Sequence, residues 1–369
     1  MKKYLFLVSV AALTMTSCSD QSTEFVGDKV AQQAREIAFA PLAKPTTRAN
    51  AFTPVSTSSF PDNYTMEVSA NVTASSSDAD LVYFSDVSFA KGDGPTWKGG
   101  QYWPLSASTL NFLAVTNWVT TPASVVSTAF TTGANTAVVS LGNNAPANLT
   151  SPAATGAQHD LMYAVGRGIV SQSTNAISYT GNAAGDAAPV DMVFKHALAW
   201  VNFTAVSNVS GFTLNSITLN DAYYGGTYTL NNSTNSNYYY DGTTGHDSRT
   251  ASPITGTWST PNNQNDVAVP GWSSAAIAAS PSTPTNIGNG LVIVPTYGLA
   301  TPTPSFTGFT ISYTFNGQNF TYTYTQDVTV EQAKKYTYAI TFNLTEIEIN
   351  PSVTTWDEQS ATAVAVPGA

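Results

Sequence analysis

The chain has 369 residues; charged residues are only 10% of it, and the formal net charge is −10, against a usual charged share of about 25%. An acidic chain with no basic run outside Lys2-Lys3 repels a phosphate backbone, which argues against nucleic acid as a partner. Its length suits two domains with a core each, and its wealth of Thr, Tyr and Val with scattered Gly and Pro sets an all-β expectation.

Residues 1–17 form an export signal: Lys2-Lys3, an apolar run over 4–13 too short to span a bilayer, and Met15-Thr16-Ser17 ahead of Cys18. Cys18 is the only cysteine, so no intramolecular disulfide can form. The small residues before it resemble a lipobox, in which the thiol is acylated and the chain is cut before the cysteine. Acyl chains would hold such a precursor to a membrane, each buried methylene contributing about 0.8 kcal/mol.

Residues 18–48 read as a tether followed by a removable strand. In 36–42, Ile37 and Phe39 alternate with small residues as in a half-buried strand. A polar, proline-containing stretch follows and ends in Arg48-Ala49, an accessible place for a protease to cut after the arginine. Arg35 competes as the cut site, but cleavage there leaves Ile37 and Phe39 in place.

Residues 49–190 are expected to form a first β-sandwich, with strands over 64–72, 81–89, 110–116, 136–141 and 161–165 separated by turns. Trp97, Tyr102, Trp103 and Pro104 read as a lid on one end of its core. Residues 191–356 are expected to form a second sandwich, with strands over 212–219, 226–230, 291–295, 309–315, 318–325 and 336–344. Asn316-Gly317 accepts the positive φ angles of a tight hairpin. The long polar interval 231–290 either carries loop function or hides weak strands. Tyr338, Ile340, Phe342 and Leu344 share one parity while Ile347 and Ile349 take the other, which predicts a bulge or a change of sheet near Thr345. The last segment, 357–369, again alternates: Val364 and Val366 are separated by alanine.

Chemistry is poorly served. Three histidines, His159, His196 and His246, are the only side chains whose ordinary titration lies near neutrality, and no Gly-x-Ser-x-Gly elbow accompanies them. Asp78-x-Asp80 lacks the further ligands of a calcium loop, and no Cys/His metal spacing exists. No enzyme, cofactor or metal is expected. A glycan-binding alternative rests on Tyr238-Tyr239-Tyr240, Trp258 and Trp272, whose rings would stack on sugars if exposed.

Taken in order, several pieces together resemble the fimbrillin family of type V pilus subunits in Bacteroides-like bacteria. They are Cys18 in its lipobox, Ile37-x-Phe39 with Thr46-Thr47-Arg48-Ala49, Tyr102-Trp103-Pro104 ahead of Leu110-x-Phe112, Gln158-His159-Asp160-Leu161-Met162-Tyr163-Ala164, Val193-Phe194-Lys195-His196-Ala197-Leu198, and Val353-x-x-Trp356. The resemblance implies two tandem transthyretin-like β-sandwiches, export as an outer-membrane lipoprotein, and cleavage after Arg48 by a trypsin-like or arginine-specific protease. It also implies polymerisation by strand exchange, in which the tail of another copy, carrying Val364 and Val366, takes the place of the strand carrying Ile37 and Phe39. Tip and anchor subunits are alternatives within the family, and a host protein or glycan is the expected outside partner.

Overall fold

The computed structural model describes residues 36–43, 64–72, 81–92, 96–103, 108–118, 126–131, 136–145, 158–170, 177–179, 189–231, 256–279, 283–356 and 364–365. The described residues form strands and connecting turns, with no helix among them. Ten strands belong to the first half: β1 Glu36–Ala43, β2 Tyr64–Val72, β3 Leu81–Lys91, β4 Trp97–Tyr102, β5 Ser108–Trp118, β6 Val126–Thr131, β7 Thr136–Leu141, β8 Met162–Val170, β9 Ile177–Tyr179 and β10 Val190–His196. The second half contributes β11 Ala199–Ser207, β12 Phe212–Asn231, β13 Thr257–Ala268, β14 Ala275–Ala276, β15 Thr285–Ile293, β16 Phe306–Phe315, β17 Gln318–Val328, β18 Lys334–Phe342, β19 Ile347–Thr355 and β20 Val364–Ala365.

The first sheet runs in the order β10-β1-β4-β3-β2-β5-β8-β9, and β8 pairs back to β10. The strand β10 makes that closure by dividing its length between two neighbours. Its residues Val190 to Phe194 lie parallel to β1, and Lys195 and His196 then lie antiparallel to Tyr163 and Met162 of β8. The sheet therefore wraps round one core, built from Ile37, Phe39, Met66, Val68, Phe84, Phe89, Trp97, Trp103, Leu110, Phe112, Met192 and Phe194. Trp97 and Trp103 are core members, while Tyr102 is about half exposed, so the aromatic cluster caps this core through its two tryptophans.

The second half is a sandwich of two sheets. One has the order β15-β11-β18-β19-β20, the other β17-β16-β12-β7-β6 with β13 and β14 also on β12. Alternation along β11, β12, β16 and β18 turns Phe203, Leu214, Ile217, Phe309, Ile311, Tyr338, Ile340 and Phe342 between them. The hairpin β6–β7 comes from the first half of the chain yet pairs with residues Gly226 to Asn231 of β12. A third core cluster, including Val115, Leu141, Leu161, Trp200, Tyr228, Trp258 and Trp356, fills the resulting joint between the halves.

Two local expectations are corrected and one open alternative is decided. The segments 212–219 and 226–230 form one strand, β12, bent at irregularities near Leu219/Ala222 and Gly225/Thr227 rather than interrupted. Of the two alternatives for the polar interval 231–290, hidden strands is the one found: it holds β13, β14 and the start of β15. At Thr345 there is neither a bulge nor a change of sheet: β18 and β19 form a hairpin with Phe342 opposite Ile347, closed by Asn343 N donating to the Glu346 carbonyl at 2.9 Å. The parity change is the turn itself, and Leu344 lies at its tip, exposed. The Asn316-Gly317 hairpin is as expected, with φ of 48° and 78°.

Candidate functional site: the β1 slot and the joint beside it

β1 occupies the interior of its sheet. Its first residues pair with β4, Ala38 opposite Lys98 and Phe39 opposite Trp97. From Phe39 to Ala43 it pairs with β10, Phe39 opposite Val190. Ile37 and Phe39 are fully buried, and each contributes about 1.5–3 kcal/mol from its apolar surface. The Phe39 ring is held edge-on by Phe89 and Phe112, at centroid distances of 4.8 and 5.0 Å. Phe89 reaches that position because residue 99 is glycine: a Cβ there would lie 2.9 Å from its ring and 2.9 Å from the Ser88 carbonyl.

A polar contact fastens the start of β1. One Glu36 carboxylate oxygen lies 3.1 Å from Lys98 Nζ, and the other accepts a hydrogen bond from Gly100 N at 3.2 Å. Both side chains reach solvent, so the ion pair contributes only about 0–1 kcal/mol. The apolar face, not the charge, holds the strand.

His159 and His196 take structural roles at the joint. His159 N donates to Asn144 Oδ1 at 2.7 Å, and Asn144 Nδ2 donates back to the His159 carbonyl at 2.8 Å. Its Nε2 lies 3.2 Å from Thr116 Oγ1. Burial pushes the His159 imidazole down to about 4, with the Asp160 charge opposing that shift. Gln158 spans the two halves of the chain, donating to the Val292 carbonyl at 2.8 Å and accepting from Val292 N at 2.9 Å. His196 Nδ1 lies 2.9 Å and 3.1 Å from the two Asp160 carboxylate oxygens, and its other face carries Trp356. Gln332 adds bonds to the His196 carbonyl at 3.2 Å and the Tyr228 hydroxyl at 2.8 Å. These groups bond to one another and to main-chain groups inside the protein. Among the described residues no group of acidic, His or Cys side chains is arranged to hold a metal ion.

Two of the rings named for the glycan-binding alternative lie among the described residues, and both are buried. Trp258 is a buried residue of β13 whose indole donates to the Ala197 carbonyl at 2.6 Å. Trp272 is buried too and donates to the Leu214 carbonyl at 3.1 Å. Neither presents a free face, because each indole N–H drew its ring inward to a backbone acceptor. Cys18, Arg48, Ala49, Val366, His246 and Tyr238 to Tyr240 lie outside the described residues. Val364 is placed by its backbone, opposite Val353 on the outer strand of its sheet.

A closed first sheet with β1 inside it, fused through a shared hairpin to a second sandwich, can be compared with known proteins. A family model described as fimbrillin-like matches residues 47–356. The chain belongs to the fimbrillin-like family. Its matched span leaves β1 and the segment beyond Trp356 on either side. Among solved structures, a fimbrial protein from Bacteroides vulgatus is similar at 13% identity, covering 87% of this chain and 99% of that one with a TM-score of 0.51, which speaks to the fold alone. Proteins assigned to cell adhesion from Bacteroides ovatus (13% identity, 88% and 98% covered, TM-score 0.43) and Bacteroides uniformis (14%, 89% and 100%, 0.43) are also similar. No curated protein sequence matches the chain. Family membership makes this chain a subunit of cell-surface fimbriae and a structural protein rather than an enzyme.

Proposed function

We propose that the chain is a polymerising pilin, exported as a lipoprotein through Cys18, cleaved between Arg48 and Ala49, and joined to its neighbours by strand exchange. The observation that carries this reading is the placement of β1. It is the most N-terminal described strand, yet it lies between β10 and β4 with Ile37 and Phe39 fully buried. Withdrawing it uncovers their apolar pockets and leaves backbone groups of β4 and β10 without partners, an edge that templates another strand. A tail that enters regains main-chain hydrogen bonds and fills alternate pockets. Slot and tail are different surfaces, so the contact is head-to-tail and propagates into a filament.

The proposed tail suits the donor role. Among the described residues, β20 lies on the edge of its sheet, with Val364 opposite Val353 and Ala365 opposite Ser352 of β19, and an edge strand can leave without breaking the sheet in two. The lipidated precursor would sit at the outer membrane, its processing enzyme an arginine-specific or trypsin-like protease. N-terminal sequencing of surface material tests the scheme: a pilin begins at Ala49, a retained lipoprotein or anchor subunit at Cys18. Electron microscopy before and after arginine-specific digestion completes the test, since filaments are expected only after the cut and filaments of uncut protein would refute it.

A further inference from the structure

Resting on the strand-exchange reading, we propose that Val364 of a second copy takes the place of Phe39 and underfills it. On this account the size of residue 364 sets fibre strength and the uncut leader holds the slot against every tail. β1 turns Ile37, Phe39 and Pro41 inward, separated by Ala38 and Ala40. The tail reads Ala361-Thr362-Ala363-Val364-Ala365-Val366-Pro367-Gly368. With Val364 on Phe39, Thr362 and Val366 meet the two flanking buried positions and alanines return to the positions of Ala38 and Ala40. This holds for either direction of the incoming strand, because the side-chain period of a strand is two. A slip by two residues in one direction brings Gly368 to a buried position and leaves it empty, and in the other brings Ser360, smaller and polar, to one.

The central pocket is shaped for a phenyl ring. Phe89 and Phe112 approach Phe39 edge-on, at interplanar angles of 68° and 83°, and Gly99 lets Phe89 come that close. Valine lacks most of the atoms those rings contact, and close-packed aromatic walls do not collapse to follow it. The leader thus fits better than the tail, and in the precursor it is also tethered, which raises its effective concentration in the slot. Cleavage removes the tether and frees the leader to diffuse away, whereas a tail arrives attached to a folded subunit. The order of events follows from this difference in fit: cut first, exchange second.

Peptides spanning residues 360–369 test it. They are offered as wild type, Val364→Phe and Val366→Phe to protein cleaved after Arg48 and separated from its leader, with and without its own residues 360–369, and to uncut precursor. Expected are binding of the wild-type peptide to both cleaved forms, dissociation of the Val364→Phe peptide slower by about tenfold or more, no such gain for Val366→Phe, and no uptake by the precursor. A tighter Val366→Phe peptide, a weakened Val364→Phe peptide, or displacement of the uncut leader by the wild-type peptide would overturn the assignment. Uptake only by the form lacking its own tail would replace the second copy by self-occupation. If strand exchange itself is wrong, no peptide binds either cleaved form and filaments still grow after deletion of 360–369, a pattern distinct from a misplaced valine.

Discussion

The imidazole of His196 lies flat on the indole of Trp356, centroids 3.9 Å apart and planes within 2°. His196 ends the strand that flanks the β1 slot, and Trp356 is the last residue of the matched family span. This stack therefore anchors the base of the tail beside the wall of the slot. It is reinforced by Trp356 N, which donates to the Ala333 carbonyl at 2.9 Å, while Ala333 N donates to the Leu198 carbonyl at 2.9 Å. The tail is thus anchored firmly at its root.

Replacing Trp356 by alanine should cost about 3–5 kcal/mol, the usual range for a buried tryptophan, because it removes a fully buried ring from the joint cluster. Trp356→Phe keeps a ring over His196 and should lose distinctly less. Urea unfolding of the two variants measures both. Equal losses would deny the stack any part in stability.

Acid should weaken the fold through His159. Its folded value of about 4 lies below the ordinary 6.5, so between those limits the unfolded chain binds the proton and the folded chain refuses it. The contribution is complete above pH 6.5, falls as the pH drops towards 4, and amounts to about 3 kcal/mol across that window. Thr116, Asp160 and Tyr64 lie about the ring, and the Asp160 charge opposes the loss. Urea melts at pH 7 and pH 4.5 should show a steeper fall for the wild type than for His159→Gln. Parallel curves would remove His159 from the acid response.

Much of this was legible in the sequence because strand parity is local. The boundaries of β2 and β7 coincide with the alternating runs read from residues 64–72 and 136–141, and the inward pair Ile37 and Phe39 follows from the same period. Long-range pairing was not legible. Nothing in Val126–Thr131 says that its hairpin with β7 will extend a sheet belonging to the other half, and β13 carries Asn and Gln on exposed positions, so its pattern lacks apolar alternation. Trp258 and Trp272 looked like loop aromatics because their acceptors, the carbonyls of Ala197 and Leu214, lie 61 and 58 residues away in the chain. The histidine motifs were visible as motifs, but their role as a buried joint depends on Asn144, Thr116 and Gln332, which local reading does not connect to them.

Glycine at position 308 should prove irreplaceable. It has φ of +112°, and a Cβ there would lie 1.9 Å from the Tyr324 carbonyl oxygen, at the irregularity between Phe306 and Gly308 where β16 meets β17. Alanine adds a strained backbone to an overlap with main chain that cannot rotate away, together about 2–4 kcal/mol. Gly317, with nothing within 4 Å of its Cβ position, meets only the conformational part of that penalty. Thermal melts of Gly308→Ala and Gly317→Ala should separate the two effects, and similar melting points would argue that the β16–β17 contact yields.

The leader's hold on the slot should reside in Phe39. Both Ile37 and Phe39 are fully buried, but only Phe39 is paired to β4 and β10 at once and packed against two rings. A peptide of residues 36–43 should rebind cleaved protein and restore the stability lost with the leader. The same peptide with Phe39→Ala should bind at least about a hundredfold more weakly, since a loss of about 3 kcal/mol for a buried phenylalanine corresponds to two decades in affinity. Glu36→Gln should cost less than about tenfold, because the ion pair with Lys98 is solvent-exposed. Isothermal titration of the three peptides orders the contributions; if Glu36→Gln proved the more damaging change, the leader would be held by charge at its mouth and not by the ring at its centre.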